Sequence, residues 1–502
     1  MTPLIIISCY LILLFVLGQV SGKYFRGTTN DFFVASRSIG PFLLLMSVFG
    51  TTMTAFAMVG STGEAYRIGI GTYGKMASWS ALIHSACFFF IGIRLWSYGK
   101  RFGYKTQIQF FRDRFESNAI GVILFPILVC LVIPYLLIGL LGAGSLVRGV
   151  TTGAFPEFFS ETRGAVPPWI TAAIISFVVL SYVLRGGVRS AAWANTFQTL
   201  VFMVMGIFAF VIISIKLGGP TVASQMADPV KMIRGDSIPS IQFFSYCFIP
   251  LSVAMFPHLF QHWLTAKSAK TFRLTLIAHP LFIMITWVPC ILIGVWATGA
   301  VINGVPVVPA GVNPNAVLGI MVGKLTNPLI AGLVASGVLA AVMSSLDSQF
   351  VCLGTMFTED IVLHTFKLNR LTENQIIWIA RGFITLIVLI TFLLSLANPV
   401  QIFSLGVWCF SGFGALFPVV FAALYWKRVT RAGAISSIIV AAITWFYLFR
   451  ESGYGINRGY LIADAMPVVF VFIACLLTLV IVSLLTNPPS KETLNKFFPK
   501  EL

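Results

Sequence analysis

The chain has 502 residues, 58% of them hydrophobic and only 10% charged, with a mean hydropathy of +0.93. Soluble domains carry about 25% charged residues, so this composition excludes a soluble globular protein, and the bilayer sets the unit of reading at about 20 apolar residues per helix. The net charge of +17 would suit a nucleic-acid binder, but the basic residues lie between apolar segments, mostly on one side, so no nucleic-acid partner is expected.

Thirteen spans are predicted in chain order, at 3–22, 41–66, 72–98, 119–147, 168–184, 190–215, 240–266, 271–300, 328–356, 375–397, 401–426, 432–450 and 465–486. The first has no basic flank before it and no A-x-A-like site after it, which fits a true span better than a signal peptide. Assigning Lys and Arg to alternate sides puts 23 on one side and 10 on the other. The richer side is expected to be cytoplasmic, so the N-terminus lies outside and the C-terminus inside a plasma (inner) membrane. The rest of the surplus attracts anionic lipid of the bilayer. The eight cysteines fall in apolar segments without a paired pattern, and the five histidines show no metal spacing. With no phosphate loop, dinucleotide fingerprint or nucleophile motif, an enzyme is not expected.

Polarity enters the membrane at three places. In span two, "SVFGTTMTAFAMVGSTGEAY" (47–66) sets Gly50, Thr51, Thr52, Met53 and Thr54 inside an apolar run. A broken helix there would free backbone groups, which is tolerated only where they line a cavity or bind something. An intact helix with threonines bonded back to their own carbonyls is the plainer alternative. Glu64, near the end of this span, has Arg67 and Lys75 close by to satisfy it. In span seven, "CFIPLSVAMFPHLFQHW" (247–263) carries Pro250 and Pro257 with His258, Gln261 and His262. Spans two and seven are five apart, and interrupted helices at corresponding positions of two halves point to a transporter built from inverted repeats.

The third place is "MSSLDSQF" (343–350) in span nine. At 100° per residue, Gly337, Ala341, Ser344, Ser345 and Ser348 share one helix face with Asp347 on its flank, while Leu339, Val342, Leu346 and Phe350 lie opposite. Small residues alone serve close helix packing. A carboxylate at depth costs at least about 2.5–3.5 kcal/mol on insertion scales, so packing does not explain Asp347. Oxygen ligands without sulfur or imidazole suit a hard cation.

Four stretches resemble the sodium:solute symporter family: "DFFVASRSIGPF" (31–42), "YVLRGGVRSAAWANTFQ" (182–198), "VLAAVMSSLDSQFV" with "TED" at 358–360, and "ALYWKRVTRAGA" (423–434). The resemblance implies an all-α polytopic membrane protein of LeuT-type fold. It divides the chain into a leading helix with its loop (1–40), two inverted repeats of five helices (41–215 and 240–426), two trailing helices (432–486) and a cytoplasmic tail (487–502). It also implies a sodium site of Gly50, Met53 and Ala341 carbonyls with the Ser344 and Ser345 hydroxyls. Several relatives carry an aspartate for a second sodium in a pattern like Trp-Thr-Asp, where this chain has Asn195. The expectation is that Asp347, with Ser348 and Asn195, binds a second cation or a proton instead.

The implied activity is sodium-coupled import of a small organic solute by alternating access, with Na⁺, the solute and lipid as partners; composition sets no oligomeric state. Solute contacts are expected from Thr51, Thr52 and Thr54 at the first break, from Phe256, Pro257, His258 and Gln261 at the second, and from Trp408 beside Phe410. The sugar-carrying branch typically has glutamine where this chain has Ala57, and "GEAYRIG" (63–69) resembles the branch carrying carboxylates. A helix N-terminus at a break also suits a carboxylate, so a carboxylate or amino acid is favoured. The alternatives are a proton-coupled carrier using Asp347 and a sugar or other-solute symporter; a solute sensor or a channel fits less well.

Overall fold

No water reaches backbone groups in a bilayer core, so a chain this apolar must bond its amides and carbonyls within helices. The computed structural model, which describes residues 1–235, 238–368, 370–397 and 401–499, is a helical bundle; among the described residues the only strands form a hairpin of two-residue strands, Val301–Ile302 with Val305–Pro306. Its main helices are α1 (Thr2–Ser21), α2 (Pro41–Thr52), α3 (Phe56–Ile68), α4 (Gly71–Phe102), α5 (Gln107–Arg114), α6 (Asn118–Val150) and α7 (Pro168–Lys216). There follow α8 (Ser240–Ala254), α9 (Pro257–Thr265), α10 (Ala269–Trp296), α11 (Pro328–Thr365), α12 (Glu373–Leu396), α13 (Ile402–Tyr425), α14 (Arg431–Glu451), α15 (Pro467–Leu485) and α16 (Lys491–Phe497).

Among the described residues ten helices are long and apolar enough to cross a membrane, and twelve spans result if the bent pairs α2–α3 and α8–α9 count as one each. Of the thirteen expected, two run together in a single element counted here once. The expected spans 168–184 and 190–215 form one element, α7, of 49 residues. At 1.5 Å per residue it would be about 74 Å long if straight, over twice the hydrocarbon thickness. Gly187 interrupts it with φ 54° and ψ −137°, and the helix resumes at once on either side. A Cβ on Gly187 would fall 2.3 Å from the Phe32 carbonyl oxygen, so the turn also admits the preceding loop.

Helices α11 and α13 are 83% buried in their most apolar windows, against 28% for α1 and α15, which places the former pair at the centre and the latter at the lipid. Asn327 accepts from the Ile330 amide and Pro328 occupies the first turn, a strong start for α11. Around it, α1 packs on α7 and α11, α2 on α7, α10 and α11, and α6 on α11 and α13; α14 and α15 pack on each other.

Candidate ion and solute site

The α2–α3 pair bends by 58° and the α8–α9 pair by 51°, so both expected interruptions are present in the fold. At the first, Met53 takes an extended conformation (φ −90°, ψ 104°). One turn earlier, a Cβ on Gly50 would lie 2.4 Å from Thr199 Oγ1. Glycine therefore lets α2 press its backbone against α7 and α11. At the second, α8 tightens into 3₁₀ turns at Tyr246–Phe248 and Pro250–Ala254, and the chain restarts at Pro257.

Facing the first break, Ser344 Oγ lies 2.7 Å from the Gly50 carbonyl oxygen and 3.0 Å from that of Ala341. One hydroxyl has one proton, so it satisfies one carbonyl at a time and leaves acceptor capacity at the other. Three oxygens from two helices thus meet at one buried point. Met53 stands at the break itself, and Ser345 Oγ donates back to the Val342 carbonyl at 2.8 Å.

One turn along α11, Asp347 is fully buried. Tyr182 OH donates to its Oδ2 at 2.9 Å and Ser348 Oγ to its Oδ1 at 3.1 Å. The Asn195 amide orientation that satisfies its surroundings sets Nδ2 2.9 and 3.1 Å from the two carboxyl oxygens, with its oxygen 2.9 Å from Ser348 Oγ. Gln198 Nε2 reaches Tyr182 OH at 3.4 Å, and His262 Nε2 lies 2.9 Å from Ser348 Oγ. Every group here except Asp347 is formally neutral or, for His262, able to be so, and among the described residues no Lys or Arg pairs with Asp347. Tyr182 and Gln198 were not picked out from the sequence as site residues; a phenol and an amide on one apolar helix were the available signal.

Of the expected solute contacts, Thr51 Oγ1 is buried without a partner among the described residues, whereas Thr52 Oγ1 donates to Phe49 O at 2.8 Å and Thr54 Oγ1 accepts from the Phe56 amide at 3.0 Å. His258 is buried with neither ring nitrogen bonded among the described residues, stacked 5.1 Å from Phe256. Phe256 in turn meets Tyr135, Phe410 and Phe413, and Phe410 lies 5.0 Å edge-on to Phe56. An aromatic box of Phe56, Tyr135, Phe256, Phe403 and Phe410 therefore fills the space between the two breaks, with Pro257 at the head of α9. The Gln261 Nε2 donates to Phe33 O, in the segment before α2, at 2.7 Å and to Thr355 Oγ1, on α11, at 2.8 Å. Trp408 lines a cavity near Glu64 and packs on Phe449 at 5.3 Å.

The two ends of the bundle differ. At one, buried ion pairs lock loops to helices: Asp31–Arg189 at 2.5 Å, Arg112–Asp360 at 2.7 Å and Lys105–Glu359 at 2.8 Å. Burial raises the Asp31 carboxyl, but Arg189, the Arg26 amide and the Ser36 hydroxyl outweigh it and hold the group below its ordinary value. Helix α16 docks here, with Tyr98 OH on the Phe497 carbonyl at 2.6 Å and Lys496 on Asp113 at 2.6 Å. At the other end, Glu64 binds Arg67 at 3.0 Å and Lys75 at 3.1 Å beside open cavities.

Comparison with known proteins agrees with this geometry. Residues 32–441 match the sodium:solute symporter family. The chain is 26% identical to the sodium/proline symporter of Escherichia coli over 93% of each chain. It is 24% identical to that of Staphylococcus aureus over 97% of this chain and 93% of the other. The fold matches a sodium-coupled sialic acid symporter in a substrate-bound outward-open state, with a TM-score of 0.77 at 18% identity over 98% and 99% of the two chains. It also matches a nucleobase-cation-symport-1 family transporter in a closed conformation, with a TM-score of 0.55 at 15% identity over 93% and 97%. The LeuT-type fold expected from the sequence is thus found, and the chain belongs to the sodium:solute symporter family, multi-pass membrane proteins that couple solute transport to sodium.

Proposed function

We propose that the chain imports a small organic solute, an amino acid or carboxylate, with sodium by alternating access. The observation that carries this reading is the meeting of the Gly50 and Ala341 carbonyls with the Ser344 hydroxyl where broken α2 touches α11. A cation held there, with Met53 and Ser345 completing its shell, ties two helices that must separate for release. Sodium then favours the tied state through its differential affinity for the two states. The inverted repeats are 41–215 and 240–426, followed by trailing helices at 432–486 and a tail from 487. The end with the Asp31, Glu359 and Asp360 ion pairs carries the excess of Lys and Arg, so it faces the cytoplasm of the cell membrane and is closed. The proline-carrying relatives favour an amino acid, taken up between Thr51, His258 and the aromatic box.

A second reading rests on Asp347, which has only neutral groups around it, Tyr182, Asn195 and Ser348, and no cationic partner among the described residues. Coupling to a second cation or a proton at Asp347, Ser348 and Asn195 accounts for that. The deciding experiment is thermal stability of purified protein in sodium, lithium, potassium and choline salts, for wild type, Ser344→Ala and Ser345→Ala, with amino acids, carboxylates and sugars added. Sodium-specific stabilisation weakened in the variants, plus a sodium-dependent solute response, is expected. Equal melting in every salt would sink the sodium reading and leave the proton at Asp347.

A further inference from the structure

The Glu64 end of the bundle carries more hydrogen-bond donors and positive charge than its own residues use. A vestibule of about 800 Å³ there is lined by Arg148, Arg458, Gln401, Asn313 and Asn315 among others, and no Asp or Glu lines it among the described residues. Gln401 and Arg458 also line a smaller adjoining cavity of about 50 Å³, whose wall includes Lys75, Arg67 and Glu64. That volume fits one or two water-sized groups, which is a head group rather than a whole solute.

Glu64 is the only carboxylate lining either space among the described residues, and three donors already hold it. Arg67 Nε and Nη2 reach its two oxygens at 3.0 Å each, and Lys75 Nζ reaches Oε1 at 3.1 Å. Arg458 and Arg148 have no ion pair among the described residues. Gln401 is 6% exposed and its Nε2 has no acceptor among the described residues. The small cavity is rich in donors and net positive, with Lys75, Arg67 and Arg458 against Glu64 alone among the described residues, behind a mouth with the same sign of charge. Such a funnel concentrates anions, and a buried unbonded amide N–H is costly unless an acceptor arrives.

The geometry points to a carboxylate-docking site in this cavity, where Lys75, Arg458 and the Gln401 amide hold the head group of an anionic or zwitterionic solute before it reaches the aromatic box. Phe403, under the Lys75 ammonium at 5.0 Å, is stacked 5.1 Å from Phe56 at the first break, so the docking cavity and the box share a wall. The inference rests on the carrier reading above and adds a second, peripheral site to it.

The test uses purified full-length protein at constant sodium and ionic strength, titrated separately with acetate and with chloride while melting is followed. Acetate is expected to raise the melting temperature saturably, with apparent affinity at least tenfold weaker in Arg458→Gln. Gln401→Glu places a tethered carboxylate in the cavity; it is expected to melt higher than wild type without acetate and to lose the acetate response. Ser344→Ala is expected to keep that response. An unchanged response in both Arg458→Gln and Gln401→Glu would overturn the site. Equal stabilisation by chloride would overturn its assignment to carboxylates, and loss of the response in Ser344→Ala would move the acetate to the central site. Should sodium dependence be absent while the acetate response follows these variants, the sodium reading falls and this one stands.

Discussion

Replacing Asp347 by Asn and by Ala separates the charge of this residue from its place in the hydrogen-bond network. Tyr182 OH and Asn195 Nδ2 donate to it, and the single Ser348 hydroxyl proton is within reach of both Asp347 Oδ1 and the Asn195 oxygen. Alanine strands the Tyr182 hydroxyl in a buried site while Ser348 and Asn195 keep other acceptors, so a loss of about 1–3 kcal/mol is expected. Asparagine keeps one acceptor, and two neighbouring hydroxyls can rotate to accept from its new amide, so it is expected to fold within about 1 kcal/mol of wild type. What Asn removes is the charge. If that charge is balanced by a second cation, wild type gains about 2.7 kcal/mol from that site at a hundredfold excess over its Kd, and Asn gains none. If a proton balances it, Asn instead flattens the pH dependence of melting. Differential scanning fluorimetry across sodium concentration and pH reads both. An Asn variant that melts as low as Ala, or one that keeps the full sodium and pH dependence, would refute the reasoning.

Arg189→Gln removes one partner of the buried Asp31 pair, a change worth about 3–5 kcal/mol at such sites; cysteine labelling from the positive-rich end is expected to show that end opening. Because Asp31 in the wild type is held below its ordinary 3.8, its contribution is full above about pH 4 and lost only as pH falls through the lower folded value. Without Arg189 the Arg26 amide and Ser36 hydroxyl alone oppose the upward pull of burial, so the carboxyl rises and acid melting is expected to begin at higher pH. A Cβ at Gly18 would lie 2.2 Å from Tyr182 Cβ, so Gly18→Leu is expected to lower stability by about 1–3 kcal/mol and weaken ion dependence, while Gly206→Ala, with open space around it, changes neither. Gly50→Ala is expected to weaken sodium stabilisation at least tenfold through its clash with Thr199, and Thr199→Ala in the same chain to restore part of it; a double variant worse than the single one would argue against that contact.

What the sequence made legible was whatever a single helix can announce about itself. Gly50 with three threonines and Pro250 with Pro257 marked the two bends, and Glu64 with Arg67 and Lys75 read as an ion cluster because the first two are three residues apart. Proline alone was a poorer guide: Pro126, Pro134, Pro280 and Pro289 all lie inside continuous helices, as neighbouring helices can satisfy the carbonyl that proline frees. Of the partners of Asp347, Ser348 is its neighbour in the chain and Asn195 was suggested by the resemblance, but Tyr182, 165 residues away, was out of reach, as was His262 beside Ser348. Helix periodicity says which face is polar without saying what meets it. For Gln261 the sequence showed polarity beside a break and no sign that its amide bonds Phe33 and Thr355.

The order of the Asp347 network along the chain bears on how the protein is made. Tyr182, Asn195 and Gln198 all belong to α7, which leaves the ribosome well over a hundred residues before Asp347 does. Helix α1, seated on α7 through Gly18 and on α11 through Gly332, is earlier still. When the segment bearing Asp347 reaches the translocon, a polar strip able to receive it already stands in the bilayer. The insertion penalty of about 2.5–3.5 kcal/mol for a lone carboxylate is met by helix docking during biogenesis, so α11 should integrate poorly when expressed without α1 and α7 and efficiently when they precede it.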